Sequence, residues 1–428
     1  MMPSDGNKNR SPSPHVLSNL PECVIDEILM RLPLRDAVRT SILSKKWRYN
    51  WCRLPHLKLD QMLWKTIEDL ISPTIGFTNI LCHLLTLHTG PITKFTLDLP
   101  DLKPCPNIHH LIYFLSRYDI QHVLLKLPLG NRYKLPSSFF TCLQLRHLTL
   151  HTCLIRPPPL FKGFDRLISL ELSDVTISSE FLGSLISHAP LLEHLVLEQE
   201  VVSDHIEISA PKLRSFFFIG NINLLHLKNV PLLSKVSYEP IAFFVEAERD
   251  LAKIFESMPA LENLCWNQGY VLGNQAGQAE VIPTRLPSGL NYLKRLYISW
   301  FIVREFFELS FALCLIRSSP NLEEIEIKVC NLRDKNYYEP MPQDAVDEIP
   351  ASFSNMTFNH LRTVKIHNIA GTKAEMQLVK VLLAKSPALV RMLINPCRMK
   401  DRKSLKVLAK ITNFQRLSSE AQVVYNVD

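Results

Sequence analysis

Residues 180–197 read EFLGSLISHAPLLEHLVL, and the stretch changes character half-way. The run Glu180–His188 is helix-like, and Pro190 follows it closely. A proline just past a helix end stops the helix and drives the preceding residue into extended backbone. Beyond it, Leu192, Leu195 and Leu197 fit a template L-x-x-L-x-L. The last two leucines of that template share one face of a strand by the period of two. The unit therefore reads helix, proline, short strand. So short a strand cannot bury its own apolar face, and the unit needs stacked neighbours of its own kind.

Those neighbours are present. With apolar substitutes, the template fits Ile92-Phe95-Leu97, Ile120-Val123-Leu125, Leu145-Leu148-Leu150 and Leu167-Leu170-Leu172. It continues through Leu213-Phe216-Phe218, Leu233-Val236-Tyr238, Leu261-Leu264-Trp266 and Leu293-Leu296-Ile298. Leu322-Ile325-Ile327, Leu361-Val364-Ile366 and Leu389-Met392-Ile394 complete the series. First positions lie mostly 20 to 32 residues apart, with a gap of 39 between Leu322 and Leu361. Pro-x-Leu recurs at Pro211, Pro231, Pro259, Pro320 and Pro387, and helix-like runs at Glu246–Met258, Arg304–Ser319 and Ala374–Ser386 precede the last three. Self-similarity at this period marks a leucine-rich repeat (LRR) solenoid, with short parallel strands alternating with helices. A doubly wound sheet would carry longer apolar strands and glycine turns, whereas this chain has 12 glycines against 29 prolines. Polar, proline-bearing insertions at 267–290 and 331–358 make the solenoid irregular.

The region before the repeats is different. Residues 17–54 read LSNLPECVIDEILMRLPLRDAVRTSILSKKWRYNWCRL. Pro21 opens a helix whose start is loaded with Glu22, Asp26 and Glu27, favourable at the positive helix end. Val24, Ile25, Ile28, Leu29 and Leu32 form an apolar stripe, and Pro33 ends it. A second helix is expected from about Leu34 to Leu43, with Val38 and Ile42 four apart. Ser44 suits the N-cap of a third, short helix carrying Trp47 and Trp51. So small a unit encloses little surface, which leaves apolar residues for a partner.

Leu20-Pro21, the Ile28/Leu32 spacing, Pro33-Leu34-Arg35-Asp36-Ala37 and Leu43-Ser44-Lys45-Lys46-Trp47-Arg48 resemble the F-box of plant F-box proteins. The stretch from His360-Leu361-Arg362-Thr363-Val364 through Gly371, Glu375, Leu382-Leu383 and Leu389 to Ile394 resembles the FBD segment of plant F-box/LRR proteins. The fold expected is thus α/β, a small three-helix F-box followed by an irregular LRR solenoid. Residues 1–15 form a disordered lead, 16–60 the F-box, 61–350 the repeats, and 351–428 the FBD-like repeats and a cap. The cap is expected from a helical pattern at Leu405, Leu408 and Ile411.

Composition excludes several function classes. A surplus of +7 over 428 residues is modest, and 46% hydrophobic with 21% charged residues is globular. The N-terminus lacks a signal-peptide core, and no apolar run is long enough to span a membrane. Ten cysteines are scattered without a C-x-x-C, so neither a zinc site nor a disulfide framework is expected, and the thiols read as reduced. Gly-x-Ser-x-Gly, the P-loop and Gly-x-Gly-x-x-Gly are absent. The adjacent His109 and His110 suit a surface better than a metal, and Cys153 near His151 lacks a base with an orienting partner. No catalytic residue, metal or cofactor is expected.

Recognition remains. Residues between the template positions face out of the strands: His147/Thr149, Ser169/Glu171, His194/Val196, Ser215/Phe217, Asn263/Cys265, Arg295/Tyr297, Glu324/Glu326 and Thr363/Lys365. This face is chemically mixed, unlike a uniformly basic phosphate track, so nucleic acid is not expected. Phe217, Arg295 and Tyr297 are its candidate target anchors. The resemblance implies the substrate-receptor subunit of an SCF-type ubiquitin ligase, in the nucleus or cytoplasm. Its F-box would dock a Skp-type adaptor, and through it a cullin. Leu20, Pro21, Ile25, Ile28, Leu32, Leu34, Val38, Leu43 and Trp47 would serve that docking or the local core. A non-catalytic LRR scaffold acting outside a ligase is the alternative.

Overall fold

The structure, a computed structural model, describes residues 20–60, 81–99, 108–128, 130, 132–198, 205–240, 251–267, 285–301, 306–330, 356–398 and 401–426. The expected lead at 1–15 and most of the two expected insertions lie outside these residues. The chain divides into two compact units, Met1–Ile177 and Ser178–Asp428.

The first unit opens with helices α1 (Glu22–Met30) and α2 (Leu34–Arg39). Pro21 takes the N-cap position of α1 and its carbonyl accepts from Val24 and Ile25 N–H. The expected third helix takes another form. Thr40–Ile42 and Asn50–Arg53 are single 3-10 turns with further hydrogen-bonded turns between them, and Ser44 Oγ caps neither. A helix so short gains little cooperativity, and tight 3-10 turns serve to place Trp47, Trp51 and Cys52 inside.

Strands β1 (His56–Asp60), β2 (Lys94–Asp98), β3 (His122–Lys126), β5 (His147–His151) and β7 (Ser169–Ser173) then form one parallel ladder, while β4 (Tyr133–Lys134) and β6 (Cys153–Leu154) pair separately. Template residues align rung on rung: Leu57, Phe95, Val123, Leu148 and Leu170 in one buried row, Leu59, Leu97, Leu125, Leu150 and Leu172 in the next. Rung β1 was not anticipated, although Leu54, Leu57 and Leu59 obey the template, because it follows directly on the F-box-like stretch. Helix α3 (Ile108–Leu115) carries His109 and His110 on its exposed side.

The join between the helical part and the ladder is tight. Thr89 and Gly90 donate their N–H groups to Cys52 O at 3.0 and 3.2 Å. A Cβ at Gly90 would stand 2.6 Å from both Cα and O of Arg53, which are backbone atoms that cannot swing aside. Gly90→Ala should therefore lower stability by about 1–3 kcal/mol. Chemical denaturation checks it, and an unchanged midpoint would show that this junction yields.

In the second unit the ladder runs through β8 (His194–Glu198), β10 (Ser215–Ile219), β12 (Lys235–Glu239), β13 (Asn263–Asn267), β14 (Arg295–Phe301), β15 (Glu324–Val329), β16 (Thr363–Ile369), β17 (Arg391–Pro396) and β18 (Gln422–Tyr425). Strands β9 (Ile206–Ser209) and β11 (Leu225–Asn229) pair apart from it. Helices α4 (Ser179–Ser187), α5 (Leu251–Glu256), α6 (Phe306–Ser318) and α7 (Lys373–Lys385) precede Pro190, Pro259, Pro320 and Pro387. Before Pro211 and Pro231 the helix is replaced by β9 and β11. These repeats are the shortest, with Leu192, Leu213 and Leu233 spaced by 21 and 20 residues. A strand rises about 3.3 Å per residue against 1.5 Å for a helix, so it crosses the repeat with fewer residues.

The prolines do more than stop helices. In each Pro-x-Leu the residue before proline accepts the N–H of the first template leucine: Ala189 from Leu192, Ala210 from Leu213, Val230 from Leu233, Met258 from Leu261, Ser319 from Leu322 and Ser386 from Leu389. Each proline thus sits at the second position of a β-turn, where its fixed φ is preorganised. The turn delivers the chain into the strand in register.

The C-terminal end differs in detail from the expected cap. Helix α8 (Asp401–Thr412) buries Ser404, Val407 and Ile411 and exposes Leu405. Strand β18 adds one further rung on β17. Among the described residues no helix is long and apolar enough to cross a membrane.

Candidate functional site

The helical segment presents one candidate surface. Its core consists of Ile25, Leu29, Leu34, Ala37, Trp47, Trp51 and Cys52. Of the residues expected to serve docking or the local core, Ile25, Leu34 and Trp47 are interior, the last only 2% exposed. So small a subdomain has to enclose its own best-placed apolar residues first. Pro21, Val38 and Leu43 are exposed, while Leu20, Ile28 and Leu32 are half-buried. Val24, Met30 and Ile42 join the exposed set, with Ile42 at 87%. The four-residue spacing of Val38 and Ile42 predicts one helical stripe. Because α2 ends at Arg39, the 3-10 turn instead turns Ile42 outward.

Polar contacts brace this segment. Lys46 Nζ donates to Leu20 O at 2.5 Å. Arg53 reaches Glu22 Oε2 at 3.3 Å, Asp26 Oδ1 at 3.5 Å and Asn50 Oδ1 at 3.2 Å. The carboxylates that favour the start of α1 thus also hold the last 3-10 turn.

The strand face of the second unit is the other candidate. Tyr297 is half-buried between Cys265 on β13 and Glu326 on β15, in the middle column of side chains. Phe217 lies in the same column three strands away, about 14 Å at the usual strand spacing. Arg295 is exposed two residues before Tyr297, and its Nε donates to Asn263 Oδ1. The structure therefore puts all three candidate anchors on one face. Burial pushes the Tyr297 hydroxyl above its ordinary range, helped by Cys265 and Glu326, so it remains a neutral donor.

The acidic pair at 324/326 and the basic residue 365 are one network. Lys365 Nζ sits 2.6 Å from Glu324 Oε1 and 3.4 Å from Glu326 Oε2. His367 Nε2 lies 3.2 Å from Glu326 Oε1, off the line of a hydrogen bond, and its Nδ1 accepts from Asn395 Nδ2 at 2.9 Å. Asn426 Nδ2 in turn donates to Asn395 Oδ1 at 3.0 Å. Charges that looked like a mixed exposed surface are largely satisfied across β15, β16 and β17.

Residues 17–59 match the F-box domain, and residues 112–327 match the LRR repeats described as FBD-associated F-box protein At5g56370. The F-box/FBD/LRR-repeat protein At1g13570 of Arabidopsis thaliana is 31% identical over 97% of this chain and 99% of its own length. The chain belongs to the F-box/FBD/LRR-repeat family. Another Arabidopsis relative, putative F-box/FBD/LRR-repeat protein At4g03220, is 24% identical over 96% of this chain and 95% of its own. F-box/LRR-repeat protein At4g14103, also of Arabidopsis, is 28% identical over 68% of this chain and 79% of its own.

With the family in hand, two residues of the FBD segment acquire physical roles. Gly371 has φ +76°, and a Cβ there would stand 2.3 Å from Val407 Cγ2 of α8. Glu375 closes a capping box with Thr372 at the start of α7. The Glu375 side chain is buried, and both residues fix how the last repeats pack.

Two of the buried thiols are poorly placed for chemistry. Burial pushes the Cys142 and Cys153 thiols up to about 12, far from a reactive thiolate. Cys153 Sγ donates to His151 O at 3.4 Å. Among the described residues no group of three His, Cys, Asp or Glu could hold a metal ion.

Proposed function

We propose that this F-box/FBD/LRR-repeat chain is the substrate-receptor subunit of an SCF-type ubiquitin ligase. Its F-box docks a Skp-type adaptor, linked through it to a cullin, and its strand face holds a target protein. The observation that carries the reading is the exposed apolar set Val38, Ile42 and Leu43 on an F-box whose core is already closed by Trp47 and Trp51. A small domain gains nothing by exposing such side chains unless a partner covers them. The chain performs no bond chemistry in this reading and acts by holding its target in place.

The test exploits their exposure. Ile42→Asp with Leu43→Asp should leave the fold intact and reduce co-purification of a Skp-type adaptor by at least tenfold, since losing an interface anchor costs about 2 kcal/mol or more. Leu20→Ala with Pro21→Ala should weaken capture as well. Undiminished capture by both variants would remove the docking claim. Absence of adaptor from the wild-type preparation would favour an LRR scaffold working outside a ligase.

A further inference from the structure

We infer that the strand face of the first unit docks an extended acidic peptide segment along the column His56, Lys94, His122 and His147. These four occupy matching positions on β1, β2, β3 and β5. At about 4.8 Å per strand the column is about 14 Å long. His56 and Lys94 are exposed, while His122 and His147 are half-buried. Their imidazoles stack with centroids 4.4 Å apart and planes within 5°. Exposed Arg146 precedes His147 and adds a fixed positive charge.

The carboxylates of these strands stand off from the column. Asp60 and Asp98 lie four residues further along β1 and β2, about 13 Å away at strand rise. Asp60 Oδ2 sits 2.9 Å from Lys58 Nζ. Glu171 on β7 accepts from Thr149 Oγ1 at 3.3 Å and lies 3.7 Å from His151 Nε2. Lys126 is at the far end of β3, and the rung beyond His147 is the neutral Ser169. The column is therefore a short cationic strip bounded by acids, which suits a few carboxylates and opposes a continuous phosphate track.

Length and protonation sharpen the ligand. An extended peptide returns to the same side every second residue, about 6.6 Å, so acids at three alternate positions span about 13 Å and match the column. Two stacked imidazoles resist becoming charged together. Burial, with His147, Lys94, His56 and Arg146 nearby, holds His122 below the usual imidazole range. A carboxylate laid against the column stabilises the protonated rings, so binding takes up protons and tightens as pH falls. None of this requires adaptor docking, because the binding is a property of the chain alone.

Fluorescence anisotropy on the full chain tests it. The probes are a labelled peptide with glutamate at alternate positions, its glutamine counterpart, and a labelled oligothymidylate. The glutamate peptide should bind at least about fivefold tighter near pH 6 than near pH 7.5. His122→Gln with His147→Gln should abolish that pH dependence. Lys94→Gln should weaken binding about fivefold at both pH values, and Lys162→Gln should change nothing. Equal binding of the two peptides, affinity indifferent to pH, full binding after Lys94→Gln, or tighter binding of the oligothymidylate would each overturn the proposal.

Discussion

Trp266→Ala is expected to destabilise the second unit by about 3–5 kcal/mol, the cost typical of emptying a large aromatic site in a core. Trp266 is fully buried in the third template position of β13. Its ring centroid lies 4.5 Å from that of Tyr238 on the neighbouring strand, 5.7 Å from Phe255 and 5.2 Å from Phe311. Helices α5 and α6 and strands β12 and β13 thus meet at one indole. Backbone held in a parallel ladder cannot collapse into the void, so the loss should lie towards the upper end. Trp266→Phe is the informative companion. Nε1 of the indole is buried with no hydrogen-bond partner among the described residues, and leaving a donor unsatisfied costs about 1–3 kcal/mol. Phenylalanine removes that donor while keeping most of the ring contacts, so its loss should be well below that of alanine. Chemical denaturation followed by far-UV circular dichroism measures both. An alanine variant within about 1 kcal/mol of the wild type would mean that these aromatics do not form the keystone of the unit.

Glu375→Ala should cost about 2–4 kcal/mol, because a charged acceptor is withdrawn from one buried and one half-buried donor at once. Glu375 is 3% exposed, and its Oε2 accepts from Ala370 N at 3.0 Å and Thr372 N at 2.8 Å. Thr372 Oγ1 in return accepts from Glu375 N at 3.4 Å, the reciprocal pair of a capping box. The same carboxylate therefore sets both the loop leaving β16 and the first turn of α7. Glu375→Gln keeps an acceptor oxygen of the same reach and should recover at least half of the loss. Thermal denaturation of the two variants separates these outcomes. Equal losses for Ala and Gln would assign the effect to the charge rather than to the hydrogen bonds.

Much of this architecture is local enough to be read from residue order. Each of the twelve strands that match the template carries its apolar pair two residues apart, with the first apolar residue three before, and all of these positions are buried. The period survives because every rung makes the same contact with the next. Other features depend on what lies alongside. Rung β1 obeys the template at Leu54, Leu57 and Leu59, yet in the sequence it merges with the helical segment, and only its pairing with β2 reveals it. The exchange of helix for strand before Pro211 and Pro231 follows from repeat length, a constraint that acts through stacking.

The candidate surfaces divide in the same way. That the residues between template positions face outward follows from the period of two, and Phe217, Arg295 and Tyr297 do share one face. That Glu324, Lys365 and Glu326 satisfy one another, or that four cationic groups line up from β1 to β5, depends on inter-strand register. The division of the F-box residues into core and exposed sets depends on where α2 stops. By itself the sequence determined the repeat, the prolines that end its helices and the family, because those are written in residue order at short spacing. Tertiary structure decided which side chains remain available to partners, because burial and charge pairing are settled between residues far apart in the chain, 41 positions for Lys365 and Glu324.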